Sequence, residues 1–124
     1  MALGNCLTMS LSGVLAQLVD VEANVGHGLP GIHVVGQTDT AISESRDRIK
    51  TAAFNSHLPW PKTKVVVSMS PASLPKSGSH FDLPIALAIL AAQAEVNFPT
   101  KGSTPSPARR LQRTLVLGEL GLDG

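Results

Sequence analysis

Residues 83–92 read LPIALAILAA, and apart from Pro84 every one is Ala, Leu or Ile. A helix that is apolar on all sides has no face to give to water, so the rest of the chain must enclose it. Pro84 belongs in its first turn, where a missing N–H costs nothing, and Asp82 stands where a capping residue is wanted. Ahead of the helix lies a polar loop broken by Pro71, Pro75 and Gly78, and ahead of the loop a short apolar run, Val65–Val67. A strand–loop–helix unit of this kind, Ser68 to Leu90 with its leading strand, points a loop and a helix N-terminus at one place. That place is the candidate site.

One domain suits 124 residues. Hydrophobic content of 43% against 15% charged residues describes a globular chain rather than a disordered one. Aromatics amount to only 3%, with no Tyr, so the core must be built from Val, Leu, Ile and Ala. Stacking platforms for single-stranded nucleic acid are correspondingly scarce. A net charge of +1 does not by itself imply an acidic partner. A single cysteine, Cys6, excludes an internal disulfide and a cysteine-based zinc cluster, and reads as a small apolar core residue. The N-terminus lacks the basic and apolar regions of a secretory signal, and no stretch approaches the ~18 apolar residues of a membrane span. The expected compartment is the cytoplasm.

Strands are expected at Cys6–Leu11, Leu15–Val25 and Ile32–Val35. In the second, Val19, Val21, Ala23 and Val25 alternate with Asp20, Glu22 and Asn24, the pattern of a half-buried antiparallel strand. The turn residues of Gly26–Gly31 suggest a meander, with the second and third strands forming a hairpin. Asp39–Asn55 is expected to be a helix capped by Thr38 or Asp39, with Ile42, Ser45, Ile49, Ala52 and Ala53 on its inner face. On its outer face Glu44 and Arg48 make an i,i+4 pair, and Arg46, Asp47, Arg48 and Lys50 read as a solvated surface. Pro59-Trp60-Pro61 closes the helix, with Trp60 lidding a core edge. Lys64–Met69 is expected to be a central strand covered on both faces. Asn97–Gln112, with its prolines, reads as a long flexible loop extending to Arg113, and Arg113–Leu120 as a returning strand before the turn Gly121–Gly124. A turn with no strand after it suggests a truncated piece of a longer protein.

The sequence holds no G-x-x-x-x-G-K-[ST], so this chain alone is not expected to hydrolyse a nucleotide. His27, His33, His57 and His80 are scattered and have no metal-ligand spacing. The one candidate constellation is Lys76, Ser77, Gly78, Ser79 and His80. Free N–H groups at the following helix start could hold an anion there, and the side chains include nucleophile and base types. Adjacency in sequence is not a dyad, and the plainer reading is a polar loop capping a buried helix. Lys101, Arg109, Arg110 and Arg113 make the 97–113 loop basic and are candidate DNA contacts.

Several separated motifs carry a family resemblance: Gly28-Leu29-Pro30, Val34-Val35-Gly36, Asp39-x-Ala41-x-x-Glu44-Ser45-Arg46-x-Arg48, Ser70-Pro71-Ala72, Phe81-Asp82-Leu83-Pro84-Ile85-Ala86 and Leu117–Gly124. Together they resemble the N-terminal domain of the bacterial ComM/YifB proteins, which are magnesium-chelatase-like AAA+ ATPases. The resemblance covers nearly the whole chain and is weakest across the 98–113 loop. It implies an α+β fold, a two-layer mixed sheet with helices similar to the proteolytic domain of Lon (the ribosomal-protein-domain-2-like fold), in the order βββαβαβ. It also implies a following ATPase module that binds ATP and Mg, a hexameric ring, and a part in DNA branch migration during recombination and natural transformation. In the Lon comparison the catalytic serine position falls on His80, the glycine two residues on falls on Asp82, and the partner lysine lies beyond Gly124. Neither dyad position carries over.

The resulting expectation is a single Lon-like domain over residues 1–124. It has no catalytic residue, cofactor or metal of its own, and it acts as an accessory domain of a DNA-processing AAA+ ATPase in ring assembly or substrate guidance. Its partners are the AAA+ module, further copies in the ring, and DNA through the parent protein, with no membrane. One alternative is a serine peptidase with a displaced dyad, Ser79 or Ser77 with Lys76 or His80. Another is a module that touches DNA through the basic loop.

Overall fold

A computed structural model describes residues 2–36, 40–97 and 110–124. It is a mixed α+β fold in which one four-stranded sheet is backed by two helices. The strands are β1 (Ala2–Ser12), β2 (Leu15–Val25), β3 (Gly31–Val35) and β4 (Lys64–Ser70). The helices are α1 (Thr40–Asn55) and α2 (Asp82–Asn97), and one short 3₁₀ turn, Ser79–Phe81, leads into α2. The expected caps Thr38 and Asp39, and the loop residues Lys101 and Arg109, lie outside the described residues.

The sheet order is β1-β2-β4-β3. β1 and β2 form the hairpin, paired antiparallel from Ala2↔Val25 to Ser12↔Leu15. Its two-residue loop is Gly13-Val14, and Gly13 takes φ +60°, the left-handed value that a tight hairpin loop needs at its first position. β2 and β3 do not pair, so the expected meander is replaced by a different connection. β4 lies between them, antiparallel to β2 and parallel to β3. The reason is α1: a parallel pair needs a crossover, and α1 supplies it between β3 and β4. The turn-rich Gly26–Pro30 segment is therefore the passage across the end of β4, fixed where Gly26 N–H donates to the Lys64 carbonyl (3.0 Å).

β4 is central, as its sequence suggests, but it is covered on one face only. Val65, Val67 and Met69 are buried, while Val66 and Ser68 between them are half-buried on the open side of the sheet. β2 behaves in the same way, with Val19, Val21, Ala23 and Val25 buried. α2 lies across β1 and β2, and none of the residues from Leu83 to Ala92 is exposed. Ile42 and Ile49 of α1 close the core against Phe81, Ile85 and Ile89. Each such side chain, fully buried, contributes about 1.5–3 kcal/mol relative to exposure. Cys6 sits in this core, where burial, and then the Asp20 carboxylate, push its thiol pKa up to about 11. It is a packing residue rather than a nucleophile.

The expected strand Arg113–Leu120 does not form. The segment touches β1 at one point: Leu7 and Leu115 form a bridge, and Val116 N–H donates to the Leu7 carbonyl (2.9 Å). It then leaves the sheet edge for the start of α2. Leu111, Val116 and Leu120 pack against the core, so this is a strap laid over the helical layer, and the order of elements is βββαβα.

The close seating of α2 on the sheet depends on Gly4. A Cβ there would fall on the Ala88 carbonyl oxygen and 2.5 Å from the Ala92 nitrogen, both backbone atoms that cannot swing aside. Gly4→Ala is therefore expected to destabilise the chain by about 3 kcal/mol, the upper end of overpacking costs. Ala23→Gly, a buried position with no such collision, serves as the size-matched control. Chemical denaturation followed by circular dichroism measures both.

Candidate functional site at the start of α2

The loop between β4 and α2 is drawn inward by its own polar side chains. Lys76 is buried, and its Nζ donates to the Pro71 carbonyl. Loss of water lowers its pKa. The Pro75 carbonyl accepts from Ser10 Oγ at 3.1 Å, which ties the loop to β1. The His80 ring leans on Phe81, with centroids 4.2 Å apart, and its Nε2–H donates to the Met9 carbonyl at 2.8 Å. Gly78 takes φ +102°, a backbone conformation that a side chain would strain. Both basic groups of the Lys76–His80 constellation are thus engaged with backbone carbonyls on opposite sides of the loop. Among the described contacts neither one meets the hydroxyl of Ser77 or Ser79.

The helix start is engaged as well. Leu83 N–H donates to the Gly118 carbonyl (3.0 Å), Gly118 N–H donates to the His80 carbonyl (3.0 Å), and Pro84 has no N–H to offer. The strap thus occupies the Leu83 N–H, a backbone donor that could have met an anion.

Asp82 sits at the centre of this arrangement and is fully buried. The sequence suggests a helix cap, but the carboxylate reaches away from its own helix. Oδ2 accepts from Arg48 Nε (2.7 Å) and from the Leu120 backbone N–H (3.1 Å). Oδ1 accepts from Arg48 Nη2 (3.0 Å) and from the Ser45 hydroxyl. Arg48 Nη2 also donates to Ser45 Oγ (3.1 Å). The two-pronged guanidinium contact is the strong form of this ion pair. The Asp82 hydrogen bonds are also the main cause of a raised Arg48 pKa.

Arg48 therefore does not belong to the solvated face on which its sequence context places it. Its contact with Glu44 is longer, 3.7 Å, and the Glu44 side chain is 73% exposed. The Ser45-x-x-Arg48 spacing puts both side chains on one face of α1, a signal the sequence does contain. What it lacks is any mark that Asp82 lies opposite. Of the basic loop, Arg110 and Arg113 are exposed, and Arg113 has φ +61°. Among the described residues there is no group of three or more His, Cys, Asp or Glu side chains that could hold a metal ion. Nor is any helix among them long and apolar enough to cross a membrane.

An α+β domain whose buried carboxylate locks two helices to a strap carrying Gly118 to Gly124 defines a class, and comparison with known proteins gives it a family. The chain belongs to the family described as subunit ChlI of Mg-chelatase, whose model matches residues 21–124. Within it, the chain is 37% identical over 124 residues to YifB of Escherichia coli and 34% identical over 124 residues to the competence protein ComM of Haemophilus influenzae. A Mycobacterium tuberculosis protein is 42% identical over 124 residues. All of this chain is covered in each case, but it spans only 22–23% of the length of those relatives. It is thus a ComM/YifB-type domain of a magnesium-chelatase-like AAA+ family.

Removing Arg48 would leave a buried carboxylate with only a hydroxyl and an amide as donors. Arg48→Ala is expected to cost about 3–5 kcal/mol, and Glu44→Ala, at the exposed end, less than about 0.5 kcal/mol. Equal effects of the two variants in urea denaturation would show that the surface pair, not Asp82, is what Arg48 serves.

Proposed function

We propose that this chain is a non-catalytic accessory domain of a DNA-processing AAA+ ATPase, with a mechanical role in ring assembly or in guiding DNA to the motor. The observation that carries this reading is the occupation of the loop before α2. Lys76 and His80 are held by the carbonyls of Pro71 and Met9, and the Leu83 amide in the first turn of α2 is held by the Gly118 carbonyl. A hydrolytic site needs a nucleophile within about 3 Å of a base and free donors for an oxyanion. Here those groups serve the fold. The relative named competence protein ComM supports a link to competence.

ATP and Mg enter this reading through the parent protein. The 124-residue sequence has no Walker A motif, and this reading places nucleoside triphosphate binding in the parent's ATPase module. Lon-like architecture, a hexameric ring and a cytoplasmic setting belong to the same proposal. Exposed Arg110 and Arg113 favour a second, weaker reading in which the strap's basic start touches the DNA backbone.

The test is removal of residues 1–124 from the full-length protein. ATP turnover is expected to persist, while hexamer formation, or ATP-driven movement of branched DNA, falls at least tenfold. Hydrolysis of a fluorogenic peptide by the 124-residue chain, abolished by Ser79→Ala, would overturn the reading in favour of a peptidase. Unchanged assembly and unchanged DNA movement after the deletion would overturn the accessory role.

A further inference from the structure

On the far side of α1 from the Asp82 cluster, the helix ends beside the Pro59-Trp60-Pro61 turn and the two enclose an open groove of about 1120 Å³. Its floor and walls include Ala53, Phe54, Leu58 and Trp60. Phe54 is 80% exposed and Leu58 46%, although both stand next to residues that pack on the core. His57 holds φ +56°, a left-handed value that turns the chain sharply out of α1 and sets Leu58 against the groove. Exposed aromatic and aliphatic side chains grouped in a concavity mark an interaction surface, whereas scattered ones do not.

The charge around this floor has one sign. Lys50 and Lys62 lie on its lining with His57, and no carboxylate does. Lys50 also borders a smaller cavity of about 80 Å³ on the β3 side, shared with Trp60, Ile32 and Val65, so the indole forms a wall between the two. Two lysines are too few to follow a phosphate backbone, and most of the lining is apolar. That combination fits a peptide whose apolar side chains fill the groove and whose carboxylates meet the lysines.

We infer that the α1–Trp60 groove is a docking site for a short amphipathic, acidic segment of a partner protein. This surface is separate from the loop before α2 and stands whether or not the accessory reading holds. Phe54 and Trp60 are the apolar anchors, and Lys50 and Lys62 select the acidic partner.

Trp60 is the only tryptophan in the chain, so its fluorescence reports the groove directly. The probe is a synthetic amphipathic peptide of about 14 residues built from Leu and Glu, compared with its Leu/Lys counterpart and with an oligo-dT strand. The Leu/Glu peptide is expected to shift Trp60 emission to the blue in a saturable way, with affinity falling at least fivefold between about 50 and 500 mM salt. Phe54→Ser, and separately Lys50→Glu with Lys62→Glu, are expected to weaken it at least tenfold while leaving the far-ultraviolet circular dichroism unchanged. Absence of a saturable shift, equal binding of the Leu/Lys peptide, or tighter binding of oligo-dT would overturn the inference. So would a peptide-independent dimer in sedimentation that Phe54→Ser abolishes, since the occupant would then be a second copy of the chain.

Discussion

The fold turns on one buried carboxylate. Asp82 lies at the first residue of α2, yet its four donors come from elsewhere: the guanidinium of Arg48, which supplies two, the hydroxyl of Ser45 on α1, and the amide of Leu120 on the strap. An unpaired carboxylate at this depth would be costly, so the three elements are held together by the requirement to satisfy it. Apolar packing brings α1, α2 and the sheet into contact, but it tolerates sliding. A charge with four directional partners does not. The orientation of α1 against α2, and the path of the strap over both, follow from that requirement.

The same requirement shapes the loop before α2. Once the strap is drawn to Asp82, Gly118 reaches the backbone of His80 and Leu83 and takes up the Leu83 N–H at the start of the helix. At the other end, Asn55 Nδ2 donates to the Leu122 carbonyl (2.7 Å) and Ser56 Oγ to the Asp123 carbonyl (3.3 Å), which pins the strap to the C-terminal end of α1. The seating of the strap and the engagement of the backbone at this loop therefore have one cause. The α1–Trp60 groove, by contrast, leaves an aromatic side chain, Phe54, in water.

Much of this was legible in the sequence where a pattern is local. The alternation from Val19 to Val25 marks a strand with one wet face. The apolar run from Leu83 to Ala92 marks an enclosed helix, and Pro84 its first turn. Non-local pairing was not legible. Nothing in Gly26–Gly31 distinguishes a hairpin turn from a passage across another strand, so β4 enters between β2 and β3 unannounced. Val65–Val67 reads as covered on both sides because three valines in a row hide the alternation that burial reveals. Arg48 reads as a surface partner of Glu44, because an i,i+4 neighbour is visible in sequence and Asp82, 34 residues on, is not. The loop Lys76–His80 was legible as a site of interest from its composition. Its engagement with the carbonyls of Pro71 and Met9 required the fold.

The central claim is that Asp82 holds the strap in place. Native-state hydrogen exchange at the Leu120 amide tests it most directly, with the Val67 amide in β4 as the internal reference. Leu120 is expected to be protected in the wild-type chain and to exchange at least tenfold faster in Asp82→Asn, while Val67 keeps its protection. A Leu120 amide that already exchanges at the free-peptide rate in the wild-type chain, or one that is indifferent to Asp82→Asn, would contradict the account.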